Sequence, residues 1–501
     1  MCYLAAINSD PDISLLAEEN QRLRAENLQL RAEAASMGRI LLETQERVQK
    51  LELALARALR HSGNSSKPPS SDITQDKGPK PGPDPGSGRT AKRKIGGQPG
   101  HPGHERKAFP PEQVDQVIPH AAPLVCPEHG TALEARPELA PRVVQQIVLP
   151  PKLFLVHEHQ ARGAWCGSCQ KIHYAPLPPA VEAGGLADAR FTALSGYLKG
   201  KLSLSYTEMK ALYGDVFGLE LSTGYLAKLC QKTSRAAQDP YEEMKAELPN
   251  QERLHVDETG HKEQGKKWWT WAFRASVFCC FVIERNRSGA VLRELLGEEF
   301  AGVIHADYYG VYRQYGKKFL VLIQYCLAHL IRDIRFMAEY GDPIVRDYGE
   351  EMLERVRQLF HLWHEQNRNP GAGLEGALRE AQRDLQEMAV SPPEGAAAHV
   401  LIENMARRFR ENGDAYFLFL YVPGVNPTNN LAEQILRFIA MARSKTQGTR
   451  GVNGRGFCER LWSLKATCEM QGKSLFEFLV LAVEAYLSGT PAPSLLPEQA
   501  V

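Results

Sequence analysis

Apolar and polar positions change period several times along this chain, and each change marks an element or a boundary. Between about Ile13 and Leu59 two seven-residue series interleave: Leu16, Leu23, Leu30, Met37, Thr44 and Leu51, and Ile13, Asn20, Asn27, Ala34, Leu41, Val48 and Leu55. Heptads of this kind predict a long helix with an a/d seam over residues 1–60. Asn20 and Asn27 fall at a, where buried amides pair best with their counterparts in a parallel two-stranded coil. A homodimer or higher homo-oligomer is expected; an amphipathic helix folded onto the chain's own core is the plainer reading of the same pattern. From His61 to residue 108 the periodicity collapses into Gly, Pro, Ser and Lys, a composition that buries too little apolar surface to fold alone and reads as a disordered linker. Its basic run, with Arg93 and Lys94, suits contact with DNA phosphates through counterion release, and a solvated tether fits equally well.

Residues 109–185 alternate short strand-like runs with two tight turns, Cys126-Pro-Glu-His129 and Cys166-Gly-Ser-Cys169. Two knuckles offering two ligands each are what a tetrahedral structural Zn²⁺ needs to pin a small sheet, so a zinc ribbon on Cys126, His129, Cys166 and Cys169 is expected. Residues 186–250 read as helices: Tyr206 to Phe217, a turn at Gly218, then Ser222 as N-cap of a helix through Ala237. This pair resembles a helix-turn-helix, with Tyr225, Lys228 and Lys232 on one face as a DNA-reading helix requires, although helix pairs with glycine turns also occur in proteins that touch no DNA.

From Arg253 the period shortens to that of strands: RLHVDETG, a hairpin of WWTWAFRA and VFCCFVIE, a helix near Ala290 to Leu296, then GVIHADYYG and FLVLIQY. Three strands, a helix, a strand, a helix and a strand is the order of a ribonuclease-H-like α/β sheet, in which the first and fourth strands lie side by side. Asp257 is expected to end the first strand and Asp307 the fourth, which would bring two carboxylates to one sheet edge. Breaking a phosphodiester requires an activated oxygen nucleophile and neutralised phosphate charge. Two Mg²⁺ ions, or Mn²⁺, held by carboxylates supply both. Glu433, in the helical stretch Asn429 to Met441, is the third candidate acid, with Asn429, Asn430 and Arg437 able to orient it or hold DNA phosphate. Glu258 competes with Asp257 but points to the opposite face if the strand continues through it.

Taken in order, these segments resemble the insertion-sequence-66 type transposases, of the class with an Asp-Asp-Glu triad. The resemblance rests on Gly63-Asn-Ser-Ser-Lys-Pro-Pro-Ser-Ser-Asp72, Gly96-Gly-Gln-Pro-Gly-His-Pro-Gly103, the two knuckles, His255-Val-Asp-Glu-Thr-Gly260, Asp307 followed by Tyr308 and Gly310, Cys326-Leu-Ala-His329 with Arg332, and Asn429-Asn430 leading to Glu433. It implies a catalytic and Mg²⁺-binding triad of Asp257, Asp307 and Glu433. It also implies a catalytic domain over 251–450 with a helical insertion at about 338–422, a C-terminal helical region over 451–501, and phosphate contacts from Arg443 and Lys445. Where the family's first knuckle has two cysteines, this chain has Cys126 and His129.

Composition adds less. Sixty Lys+Arg against 59 Asp+Glu give a net charge of +1, so binding to nucleic acid must rest on local patches. With no long apolar run and one C-x-x-C, the expectation is a soluble, cytoplasmic, nucleoid-associated bacterial protein. Its expected partners are double-stranded DNA (the terminal inverted repeats of its element and target DNA), a second copy of itself, and small helper proteins, with no membrane. A ribonuclease-H-like nuclease or resolvase, which cuts without joining, and a catalytically dead zinc-ribbon DNA-binding regulator are the alternatives.

Overall fold

The computed structural model describes residues 11–59, 108–392 apart from 135 and 137, and 399–497. Arg93, Lys94 and the rest of the expected linker up to residue 107 lie outside the described residues. No described helix is long and apolar enough to cross a membrane.

Helix α1 runs unbroken over Pro11–Leu59. Its seam side chains Leu16, Leu23, Leu30, Met37, Leu41, Val48, Leu51 and Leu55 are all exposed in the single chain. After a largely extended stretch comes a small antiparallel hairpin, β1 (Gly163–Cys166) and β2 (Lys171–Tyr174).

Five helices follow: α2 (Pro179–Gly184), α3 (Ala189–Gly200), α4 (Tyr206–Phe217), α5 (Thr223–Ala236) and α6 (Gln238–Ala246). Their boundaries follow local chemistry. Asp188 caps α3 through the Phe191 N–H, and Ser205 and Glu208 form a reciprocal capping box on α4. Gly218, at φ 67°, turns the chain out of α4, and Ser222 caps α5, at the positions expected from the sequence.

The central sheet has the order β5-β4-β3-β6-β7, where β3 is Arg253–Glu263, β4 Lys266–Arg274, β5 Cys279–Glu284, β6 Val303–Ala306 and β7 Leu322–Tyr325. β3, β4 and β5 form an antiparallel meander, while β6 and β7 run parallel to β3. Helix α7 (Gly289–Leu296) connects β5 to β6 and α8 (Gly310–Phe319) connects β6 to β7. Then come α9 (Leu327–Ala338), α10 (Pro343–Arg368), α11 (Glu375–Val390), α12 (Val400–Asn412), α13 (Asn430–Thr446), α14 (Val452–Met470) and α15 (Leu475–Ser488). The mixed α/β order of the expected core, with the first and fourth strands of the sheet adjacent, is present.

One expectation is corrected. Asp257 does not end its strand, because β3 continues to Glu263. The parallel pairing with β6 stops at His255↔His305, but the hairpin with β4 stays paired from His255↔Arg274 through Glu263↔Lys266. Asp257 therefore lies where β3 loses one neighbour and keeps the other.

Period-two alternation divides the sheet into two faces. Trp271, Phe273, Cys280 and Val282 pack into the larger core, which also takes in Leu292 of α7 and Tyr312 of α8. Ala272, Cys279, Phe281 and Ile283 pack on the other face against Leu436, Ile439 and Ala442 of α13 and Trp462 and Ala466 of α14. The edge strand β5 is covered as well. Glu459, Ser463 and Thr467, spaced one helical turn apart on α14, accept the N–H groups of Ile283, Phe281 and Cys279 at 2.7, 2.8 and 3.0 Å. That pairing leaves the N–H groups of Cys279, Phe281 and Ile283 unavailable to a further strand at the β5 edge.

Candidate active site

The alternation on β3 decides which acids face one another. His255, Asp257, Thr259, His261 and Glu263 share the face covered by α13 and the segment after it; Leu254, Val256 and Glu258 share the other. Four of these five positions have partners there. His255 meets Asn429, Thr259 meets Arg443, His261 meets Thr449 and Glu263 meets Arg455.

Asp307 is the first residue past β6. His255 and His305 are register partners, and their rings stack 4.0 Å apart. Two residues past that last paired position, Asp257 continues in β3 and Asp307 follows the end of β6, and the charge of Asp307 acts on Asp257. Each carboxylate is fixed by a local backbone N–H: Glu258 donates to Asp257 Oδ1 at 2.8 Å, and Tyr309 donates to Asp307 Oδ1 at 2.9 Å.

Glu433 reaches the same face because the N-terminus of α13 is anchored at one residue. Asn429, 1% exposed, accepts from His255 Nδ1–H at 3.0 Å, donates its amide to the Val256 carbonyl at 2.8 Å, and gives its backbone N–H to Cys326 Sγ at 3.1 Å. Glu433 follows one helical turn later, its N–H bonded to the Asn429 carbonyl. Its carboxylate lies 3.3 Å from the Arg332 guanidinium and 3.4 Å from His329 Nε2. The Cys326-Leu-Ala-His329 motif with Arg332 is thus a cradle: Cys326 takes the Asn429 N–H, and His329 and Arg332 take the carboxylate. The role of His329, open from sequence, is contact with Glu433. Burial lowers the His329 pKa, so the ring is neutral near pH 7 and its Nε2–H can donate to the carboxylate.

The electrostatics converge on Asp257. Burial, then the charges of Glu258 and Asp307, with Glu433 further off, hold its carboxyl well above the ordinary carboxylate range. Glu258 lies on the opposite face, ion-paired to Arg287 at 2.5 Å and hydrogen-bonded by the Tyr312 hydroxyl. Arg287 lies over the Tyr309 ring at 3.8 Å. Glu258 is therefore tied to the chain's own cation, whereas of Asp257, Asp307 and Glu433 it is Glu433 that has basic groups, Arg332 and His329, against its carboxylate.

The expected DNA contacts fall into two groups. Lys228 and Arg437 are exposed on α5 and α13. Lys232 instead donates to the Ala183 and Gly184 carbonyls at 2.7 and 2.9 Å, closing the end of α2. Arg443 bridges α13 to the Thr259 hydroxyl at 3.1 Å and to the Gly260 carbonyl, and Lys445 pairs with Glu208 at 3.4 Å. Just beyond α13, Gly448 (φ 97°) passes so close to β3 that a Cβ would lie 2.0 Å from the Lys262 carbonyl; only glycine fits there.

A second cluster sits on the β1–β2 hairpin. The ligand atoms of Cys166, Cys169 and His173 all lie within 4.8 Å of one another. Cys169 Sγ is 3.1 Å from His173 Nε2. Hydrogen bonds, first from the Cys169 backbone, hold the Cys166 thiol below its ordinary pKa. Cys126 and His129 approach each other to 3.5 Å but are not in that group. The sequence reading missed His173; the signal was its spacing of four from Cys169, which suits two ligands on one turn.

A family model described as Transposase IS66 family matches residues 184–455, more than half of the 501 residues. A second, a family of unknown function (DUF6444), matches residues 8–107. A search of curated proteins finds no match.

Proposed function

Because the chain belongs to the IS66 family of transposases, we propose that Asp257, Asp307 and Glu433 form the active site of a DNA strand-cutting and strand-joining enzyme. The observation that carries this reading is that Asp257 and Asp307 each lie two residues past His255↔His305, the last pair of neighbouring parallel strands, close enough for the Asp307 charge to act on Asp257, with Glu433 anchored to the same face through Asn429. The strand order β5-β4-β3-β6-β7 supports a ribonuclease-H-like core.

The donor set fits hard divalent cations. It is oxygen-only, and Asp257 carries the mutual repulsion that a cation relieves. Mg²⁺ or Mn²⁺ held by Asp257, Asp307 and Glu433 would activate the attacking oxygen and neutralise phosphate charge. The chain's own residues do the positioning: the Glu258 and Tyr309 amides orient the two aspartates, Arg332 and His329 orient Glu433, and Arg287 with Tyr312 keeps Glu258 on the far face. In the first step, water attacks a phosphodiester at the element's end in line, the P–O3′ bond breaks and a 3′-hydroxyl is freed. In the second, that hydroxyl attacks a target-strand phosphorus and displaces the target's own 3′-oxygen.

Lys228 and Arg437, being exposed, remain available for DNA phosphate; Lys232 and Arg443 act inside the protein. The uncovered seam of α1 supports self-association, which would let two subunits hold two element ends at raised effective concentration. Cys166, Cys169 and His173 fit Zn²⁺ in donor type and spacing.

The test is Asp257→Asn. It should keep binding of the element's ends while strand transfer falls on the order of 10³-fold or more, corresponding to about 4 kcal/mol of lost transition-state stabilisation. Transfer at the parental rate would refute the assignment. Cleavage without joining in the parent protein would favour the nuclease alternative.

A further inference from the structure

The two halves of the proposed site come from different parts of the fold. Asp307 belongs to the β6–α8 turn, and Glu433 is held by α9 through His329 and Arg332. One guanidinium touches the neighbours of both. Arg408, on α12, donates to Asp333 Oδ2 at 2.9 Å, and Asp333 directly follows the Arg332 that binds Glu433. The same guanidinium lies 4.1 Å over the ring of Tyr308, which directly follows Asp307. It also donates to the Tyr416 hydroxyl, and the Tyr416 ring lies beside that of Tyr308 at 6.0 Å and 28°. One turn along α12, Asn412 donates to the Tyr308 hydroxyl at 2.9 Å. Arg313 covers Tyr308 as well, at 4.5 Å.

Arg408 has a side chain only 10% exposed, so this knot is not a surface ion pair. Its members come from the β6–α8 turn, α9, α12 and the segment before α13.

We propose that Arg408, with Asn412, is a positioning group that sets the spacing between Asp307 and Glu433, so that α12 acts as a brace for the active site and not only as a packed helix. The proposal rests on the active-site reading above. Arg408 touches neither acid; it acts through Tyr308 and Asp333. Moving Tyr308 displaces the Asp307 carboxylate before it, and moving Asp333 displaces Arg332 and with it the Glu433 carboxylate that Arg332 holds; the supporting partners of metal ligands typically govern affinity by 10- to 100-fold.

The experiment uses the full chain and four variants: Asp257→Asn, Arg408→Lys, Asn412→Ala, and Asn412→Asp as the near-isosteric companion. Mn²⁺ alone is titrated calorimetrically without DNA, and thermal melting is followed by circular dichroism. Arg408→Lys and Asn412→Ala should melt within a few degrees of the parent and bind Mn²⁺ about 10-fold more weakly. A purely structural role would move the melting temperature and leave the Mn²⁺ midpoint in place. If Arg408→Lys fails to fold, Asn412→Ala, which keeps the buried ion pair, carries the test alone. A parental Mn²⁺ midpoint in Asn412→Ala, with Asp257→Asn weakened, overturns the brace alone. A parental midpoint in Asp257→Asn overturns the active-site reading beneath it.

Discussion

The central sheet and the Cys/His hairpin both gather polar side chains into a cluster, but they are held together by different forces. Around Asp257 the frame is Trp271, Phe273, Phe281 and Ile304, all without solvent exposure, and every strand is paired or covered by a helix. Around Cys166 the neighbours Trp165, Ile172 and Tyr174 are 55–66% exposed, and Val143, Val144, Ile147 and Val148 are more exposed still. At about 25 cal/mol per Å² of apolar surface removed from water, the first region is stabilised by burial and the second hardly at all. The acids can therefore be arrayed without any ion, whereas the hairpin module has little buried apolar surface of its own to order it, which is where the proposed Zn²⁺ would act. A small domain without a core is the usual place for a structural metal.

The largest expected effect follows from that contrast. Chelation, or Cys166→Ser with Cys169→Ser, should release the whole segment 109–175 to proteolysis, since a structural zinc contributes about 10–16 kcal/mol to modules of this kind. The melting transition of the sheet domain should not move. A joint loss of both regions would mean that they fold as one unit. His173→Ala and His129→Ala sharpen the comparison: the first should lower zinc content more, given the 3.1 Å approach of His173 to Cys169.

Acid should act on the sheet in its own way. Burial lowers His255 and His261 to about 4 and His305 to about 3, against an ordinary value of 6.5. A folded-state pKa below the unfolded one means that the unfolded chain binds more protons. The stability these rings confer is thus complete above pH 6.5 and is lost as pH falls toward 4. Between pH 7 and 5 that amounts to about 2 kcal/mol for each of His255 and His261. Urea midpoints over this interval measure it. His261→Gln should flatten the slope, and a pH-independent midpoint in the parent would show that these rings are not buried neutral.

How much of this was legible in the sequence depended on range. Ser222 as a cap, Gly218 as a turn and the strand–helix order are written in neighbouring residues, and local capping and periodicity suffice to place them. The face of Asp257 was legible too, because alternation puts Glu258 opposite once the strand continues. The length of β3 was not: it depends on β4 pairing through Glu263, a partner that a Thr-Gly sequence does not announce. Lys232 and Arg443 read as phosphate contacts because a cation on a helix looks alike whether it meets DNA or a carbonyl of its own chain. The cradle of Glu433 and the Arg408 knot join residues about 75 to 100 positions apart, and no local pattern encodes such contacts.

A smaller effect is expected at Asn429, where the two regions' logics meet: a single polar side chain does by hydrogen bonding what the proposed zinc would do in the hairpin. Asn429→Ala removes its side-chain bonds to His255 and Val256 and strands a buried donor and acceptor, costing about 2–3 kcal/mol. Strand cleavage should fall further than stability alone accounts for, because α13 loses its register and Glu433 its place. Activity measured well below the melting transition separates the two. Parental turnover there would show that α13 is positioned by its apolar face alone.

The smallest effect should come from Lys445, whose ion pair with Glu208 is nearly half exposed on both sides. An exposed pair of this kind is screened by solvent, so Lys445→Ala should leave the melting temperature within about a degree of the parent. If Lys445 leaves Glu208 to meet a phosphate when DNA binds, the variant should weaken binding uniformly across sequences and reduce the slope of log K against log salt by about 0.9. Lys232→Ala offers the contrast, since its ammonium closes the end of α2: it should lower stability and leave that slope unchanged. Equal salt slopes in both variants would mean that exposure on these helices does not predict which cations meet DNA.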